Sequence, residues 1–352
     1  QPYTVKARRT EALILSLSYD PAIPLEHYHS LDQIRDHADP LVPCALLKAC
    51  IVASGIIGIT PTRHDDVPYK TIAEALKHSG GGLELTVRSS LPLGSGMGTS
   101  SIMASAILAV LKTLKGESYT AADLINMTLD VEQMMNTGGG WQDQVGGVLP
   151  GFKVSTCGVG LPIQLDPKSL SLSDTFVQDF DSRLLLIYTG KTRLAKDLLQ
   201  TVLMNWAGQD QTVVDAMDRL VDDATQSEHA LREGNIATVG SILSRYFTEK
   251  RFLSETTLDR PPIVAKLLTH LESYIEGASL AGAGGGGFLV ALLKPGYQRE
   301  TVVTSVREAM MVHHHHHQDQ DDIDLMWTWQ ATVDTTGLVV QIGGTSPSID
   351  HQ

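Results

Sequence analysis

The sequence predicts an α+β fold, and three stretches carry that reading. Residues 82–89 alternate apolar and polar side chains like a strand, and Ile102, Met103, Ala106, Ile107, Val110, Leu111 and Leu114 recur at helical spacing after a glycine-rich loop. Residues 210–233 keep a long helical period. A second glycine-rich loop then passes into strand-like Phe288-Leu289-Val290-Ala291-Leu292-Leu293. With helices and strands mixed in this order, antiparallel pairing is expected in the second half.

In chain order, residues 1–10 run into strand-like sequence without an initiator Met, which reads as a fragment or a removed start. A second apolar run covers 11–18, and 20–39, with Pro21 and Pro24, reads as a loop holding a short helix. Helices are expected over 43–59, with Lys48 the charge inside it, and over 71–78. Thr120 is the expected cap of a helix over 119–135, with Leu124, Met127, Val131 and Met134 as its buried stripe. It stops at Asn136-Thr137-Gly138-Gly139-Gly140, and 141–148 reads as irregular. The proline-containing interval 161–174 suggests a boundary between two domains, 1–175 and 176–352. Beyond it come a buried strand over 184–188, helices to about residue 275, and two final strands, 327–333 and 338–342, joined by a Thr-Thr-Gly turn. The run His313 to His317 offers metal-binding side chains, but without the defined geometry of a metal site it reads rather as a solvated loop, and 345–352 as a frayed tail.

Composition narrows the function. An apolar fraction of 42% against 19% charged residues describes a globular chain. A formal net charge of −13 argues against a non-specific nucleic-acid binder. Cys44, Cys50 and Cys157 lack metal-ligand spacing and fit a reducing compartment. Neither a membrane-length apolar run nor a signal peptide is visible, so a cytosolic protein is expected.

The chemistry concentrates in Pro92-Leu93-Gly94-Ser95-Gly96-Met97-Gly98-Thr99-Ser100-Ser101. A helix start leaves unpaired N–H groups at the positive end of the dipole, and glycines let backbone approach a ligand, which suits a polyphosphate. Thr99, Ser100 and Ser101 supply hydroxyls for phosphate or a phosphate-bound Mg²⁺. A plain strand–turn–helix would read the same, so two further stretches matter. Glu132, near a helix C-terminus, opposes the dipole unless a cation compensates, and Asp143 follows eleven residues later. Beside a phosphate loop, one carboxylate can help hold Mg²⁺ while the other orients or deprotonates an attacking hydroxyl. Gly282, Gly284 and Gly287 match a dinucleotide fingerprint, but a strand follows where that motif needs a helix. The glycines there are instead expected to pack backbone against the first loop, with nucleotide between. Gly190-Lys191-Thr192 lacks a P-loop's earlier glycine, since Leu185 stands there. Lys191 and Arg193 remain as loop cations for a phosphate or a sugar hydroxyl.

These residues resemble a known family. The stretch 92–101 is similar to the second motif of the GHMP small-molecule kinases, and 281–287 to their third, with Ala281 where many members carry Thr. Thr137-Gly138-Gly139-Gly140-Trp141-Gln142-Asp143-Gln144-Val145-Gly146-Gly147 resembles the signature of the fucokinase and heptose-kinase branch. Residues 188–195 and 279–288 resemble the animal L-fucokinases. The resemblance spans nearly the whole chain. It implies a ribosomal-S5-like, ATP-binding first domain and a ferredoxin-like second domain, with the active site between them. The implied reaction is ATP-dependent phosphorylation of L-fucose at its 1-position, a salvage step toward GDP-fucose. A heptose phosphate is the alternative substrate, and a non-catalytic relic the alternative class.

Carried over by position, Pro92, Gly94, Ser95, Gly96, Met97, Gly98, Thr99, Ser100 and Ser101, with Gly282, Gly284 and Gly285, would cradle ATP. Ser100 and Glu132 would hold Mg²⁺, Asp143 would face the acceptor hydroxyl, and Gly139, Gly140, Trp141 and Gln142 would line the sugar. The family's first motif, an early strand with a Gly-Gly-x-x-Asp-type turn, has no counterpart here. The expectation is therefore an exposed sheet edge and weak or absent catalysis.

Overall fold

The computed structural model describes residues 2–58, 69–92, 94–136, 139–160, 163–190, 196–254, 262–282, 286–312, 327–329 and 331–343. Strands β1 (Tyr3–Thr10), β2 (Leu15–Ser18) and β3 (Glu26–Tyr28) open the chain. Helices α1 (Asp32–Arg35), α2 (Ala45–Ala53) and α3 (Ile72–His78) lead to strand β4 (Gly82–Ser89). The four strands form one sheet in the order β1-β4-β2-β3, with β4 antiparallel to β1 and parallel to β2. β1 is an edge strand paired with β4 along its whole length, from Tyr3 opposite Ser89 to Thr10 opposite Gly82. β3 falls where the sequence reads as a loop, because a three-residue strand is too short to show an alternation.

Helices α4 (Thr99–Leu114) and α5 (Ala121–Met134) complete the first core. Leu15, Leu17, Leu83, Leu85 and Val87 of the sheet meet Leu47, Ile51, Ile107, Leu111 and Val131 of the helices, all fully buried. Each such side chain contributes about 1.5–3 kcal/mol of transfer free energy. Thr120 caps α5 as expected, in a reciprocal capping box with Asp123.

Residues 142–148, expected to be irregular, form helix α6 (Gln142–Val148). Asp143 in its first turn complements the positive end of the helix, and Val145 and Val148 pack on Ile125 of α5. These contacts outweigh the helix-breaking tendency of Gly146 and Gly147.

A hairpin of β5 (Lys153–Cys157) and β6 (Leu165–Ser169) precedes α7 (Asp174–Arg183). Then follow β7 (Leu184–Tyr188), α8 (Lys196–Ala207), α9 (Gln211–Arg232), α10 (Ile236–Ser254), α11 (Pro262–Leu271), β8 (Ile275–Leu280), β9 (Phe288–Leu293), α12 (Arg299–Val312) and β10 (Trp327–Trp329). The second sheet has the order β10-β7-β9-β8, and every pairing in it is antiparallel. Its core joins Leu185, Ile187, Leu289 and Ala291 to Phe247, Val264, Leu267, Val302 and Val306.

In this half one strand was not expected and one expected strand is corrected. A strand, β8, precedes the second glycine loop, so that loop joins two antiparallel strands. Its Gly277, Ala278 and Ser279 are too small to show strand patterning, and they let α10 come close: a Cβ on Gly240 would lie 2.5 Å from the Glu276 Cβ. Residues 338–342 do not form a strand. Instead the segment returns to the first half, where the Leu338 N–H donates to the Val148 carbonyl (3.2 Å) and Gly151 donates to that of Asp334 (2.7 Å). The histidine run lies outside the described residues. Among the described residues, no helix is long and apolar enough to cross a membrane.

Candidate active site

The first glycine loop ends at Gly98, the N-cap of α4, with φ 62°. This left-handed conformation strongly favours glycine, and no side chain caps the helix. The first-turn amides of α4 are therefore available at the positive end of the dipole. The three hydroxyls of that turn have different positions. Thr99 is buried, accepts from the Tyr3 hydroxyl (3.3 Å) and shares a hydrogen bond with Ser95 (3.2 Å). Ser101 is buried and donates to Glu132 Oε1. Ser100 is exposed.

The two glycine loops meet backbone to backbone. The Phe288 N–H donates to the Ser95 carbonyl (3.0 Å), and a Cβ on Gly282 would lie 2.7 Å from the Gly96 Cα. At this contact nothing separates the loops, so a nucleotide would lie along the joint rather than between these residues. Apolar side chains close the joint beneath: Leu91 and Met97 pack against Leu186, Tyr188 and Phe288 of the second sheet.

Asp143 stands at the side of this joint, in the first turn of α6. Its Cβ and Cγ lie so near Gly98 that a Cβ there would approach both to 3.0 Å. Gln142 Nε2 donates to Asp143 Oδ1 (3.1 Å). Burial pushes the Asp143 carboxyl up, while the charge of Lys250 and the Gln142 hydrogen bond act in the other direction. Four groups from three other elements face it. Tyr3 of β1, Glu132 of α5, and Tyr246 and Lys250 of α10 all feel its charge.

Glu132 lies in the last turn of α5, buried, with the Gly139 backbone against its Oε2. Burial pushes its carboxyl up, the Ser101 hydrogen bond lowers it, and the charge of Asp143 raises it further. A divalent cation beside this buried carboxylate would oppose both raising effects.

The structure thus brings together Gly96, Gly98, Thr99, Ser101, Glu132, Gly139, Gln142, Asp143 and Gly282. Trp141 is half-buried and packs on the Ile125, Val145 and Val148 cluster, so part of the face expected to line a sugar is spent on packing. Gly284, Gly285, Lys191 and Arg193 lie outside the described residues. Lys250, Tyr246 and Tyr3 are absent from the sequence reading. None lies in a glycine motif, and Lys250 sits unremarked between Glu249 and Arg251.

Comparison with known proteins identifies the family. The family models described as GHMP kinases N terminal domain and GHMP kinases C terminal match residues 66–151 and 227–311. A bifunctional fucokinase/GDP-fucose pyrophosphorylase of Arabidopsis thaliana is 32% identical over 244 residues, covering 67% of this chain and 23% of that protein. An L-fucokinase/L-fucose-1-P guanylyltransferase of Bacteroides fragilis is 30% identical over 272 residues, covering 77% of this chain and 28% of that protein. The chain thus spans about a quarter of the length of these two relatives. The crystal structure of a D-glycero-D-manno-heptose 1-phosphate kinase from Bacteroides thetaiotaomicron superposes with a TM-score of 0.62 at 15% identity, over 95% of this chain and 85% of that one. At that identity the likeness speaks for the fold alone.

Proposed function

The chain belongs to the GHMP kinases, and from that premise we propose that it transfers the γ-phosphoryl group of ATP to a sugar, L-fucose at its 1-hydroxyl. The observation that carries this reading is the position of Asp143, half-buried beside the N-terminus of α4 where the two glycine loops touch. The uncapped amides of α4 and the exposed Ser100 hydroxyl face the phosphates. Asp143 accepts the proton of the sugar hydroxyl, whose oxygen bonds to the γ-phosphorus as the bond to the bridging oxygen breaks and ADP leaves. Gly139, Gly140 and Gln142 orient the sugar beside that carboxylate. Glu132 and Ser100 are the residues that would hold Mg²⁺, which when bound neutralises charge on the phosphates. Positioning and electrostatics supply most of the rate in such transfers.

L-Fucose is favoured by the fucokinase names of the two relatives at 30–32% identity. A heptose phosphate is the second reading, supported by the resemblance of residues 137–147 to the fucokinase and heptose-kinase branch and by Lys250, a cation whose charge reaches Asp143. A coupled assay of ADP release with L-fucose, with a heptose phosphate and without sugar tests the proposal. L-Fucose-dependent release is expected. Release with the heptose phosphate alone would move the reading to that branch, and no sugar-dependent release would remove it.

A further inference from the structure

Lys250 sits in the second half of the chain, on α10, yet its charge reaches Asp143 on α6 in the first half. Its Nζ donates to the carbonyls of Leu280 (2.9 Å) and Gly282, the two ends of the turn that enters the second glycine loop. The same ammonium lies 4.8 Å from the centroid of the Tyr246 ring, one helical turn earlier. Two of its three N–H groups are thus engaged by a loop that touches Gly96. Carbonyl oxygens beside a polyphosphate would repel it, and an ammonium held on them removes that repulsion.

We infer that Lys250 is a positioning residue of the phosphoryl-transfer site, clamping the entry of the second glycine loop and pairing electrostatically with the Asp143 carboxylate across the joint. The inference rests on the kinase reading above. The groups that bear on the pair are Asp143 of α6 and Tyr246 of α10, with Tyr3 of β1 and Glu132 of α5 facing Asp143. Burial brings the Lys250 ammonium down to about 8, and Asp143 is what opposes a further fall. The positive charge of the pair is lost as pH rises through about 8.

Two measurements test this, and only the second needs turnover. Acylation of Lys250, followed by peptide mass mapping across pH in the resting protein, should show half-maximal reactivity near pH 8, against roughly 10.4 for an ordinary lysine. In Asp143→Asn that midpoint should fall. A lysine of ordinary midpoint, or one the Asn substitution leaves in place, overturns the pairing even if Lys250→Met fails to fold. In steady state, Lys250→Met should lower kcat/KM by about tenfold or more at neutral pH and move the acid limb of the profile to higher pH. Lys250→Arg should restore that limb and remove the basic limb near pH 8. Equal loss at every pH in Lys250→Met would leave only a loop anchor and refute the electrostatic role. Absence of sugar-dependent ADP release in the parent protein would instead count against the kinase reading, with the amine titration still deciding on the pair.

Discussion

Gly282→Ala tests the contact on which the site is built. At φ 60° an alanine pays about 1–2 kcal/mol for the left-handed conformation alone. Its Cβ would lie 2.7 Å from the Gly96 Cα, where carbon atoms normally rest about 3.5–4.0 Å apart. The loops must therefore separate by about 1 Å, and a displacement of that size in an active site can cost about a hundredfold in rate. That factor corresponds to about 2.7 kcal/mol of barrier. Gly296→Ala is the control: its φ of 87° imposes a comparable backbone strain, but nothing lies within 4 Å of the added carbon. Thermal melts followed by circular dichroism, with ADP release at saturating ATP and L-fucose, separate the two effects. Both variants should lose stability, Gly282→Ala the more because of its clash, and only Gly282→Ala should lose about a hundredfold in kcat. A Gly282→Ala protein as active as the control would refute the idea that the loop contact sets the site geometry.

Other consequences follow from the same packing. Burial raises the Glu132 carboxyl above its unfolded value, so its ionisation destabilises the fold as pH rises from the unfolded value through the folded one. Glu132→Gln should accordingly raise Tm at neutral pH in metal-free protein, with the gain disappearing below about pH 4, as the acid becomes protonated in both states. A Tm difference independent of pH would contradict the assignment. Gly277→Ala would drive a Cβ into the Gly240 carbonyl where α10 crosses β8, and should cost about 1–3 kcal/mol or more by chemical denaturation. An unchanged midpoint would mean that the helix is not held that closely.

Much of the candidate site was legible because its residues lie in or beside short glycine motifs. The loop ending at Gly98, the carboxylates Glu132 and Asp143, and the approach of the second glycine loop to the first follow from residue types that serve few other purposes. What escaped the sequence was set by packing. α6 forms over Gly146 and Gly147 because Val145 and Val148 have Ile125 to bury against. β8 is hidden by small residues chosen for their fit to α10. The divergence of Ser100 and Ser101, one exposed and the other bonded to Glu132, depends on the helix phase of α4 relative to α5. Lys250 reaches the site from 107 residues beyond Asp143 in the numbering, a convergence no local pattern announces.

The most direct measurement follows the product itself. Phosphorus NMR of the parent protein with MgATP and L-fucose should show a sugar 1-phosphate resonance growing with ADP. Asp143→Asn should still bind nucleotide by calorimetry while forming that product about a hundredfold or more slowly. Product formation by Asp143→Asn at close to the parent rate would contradict the account at its centre.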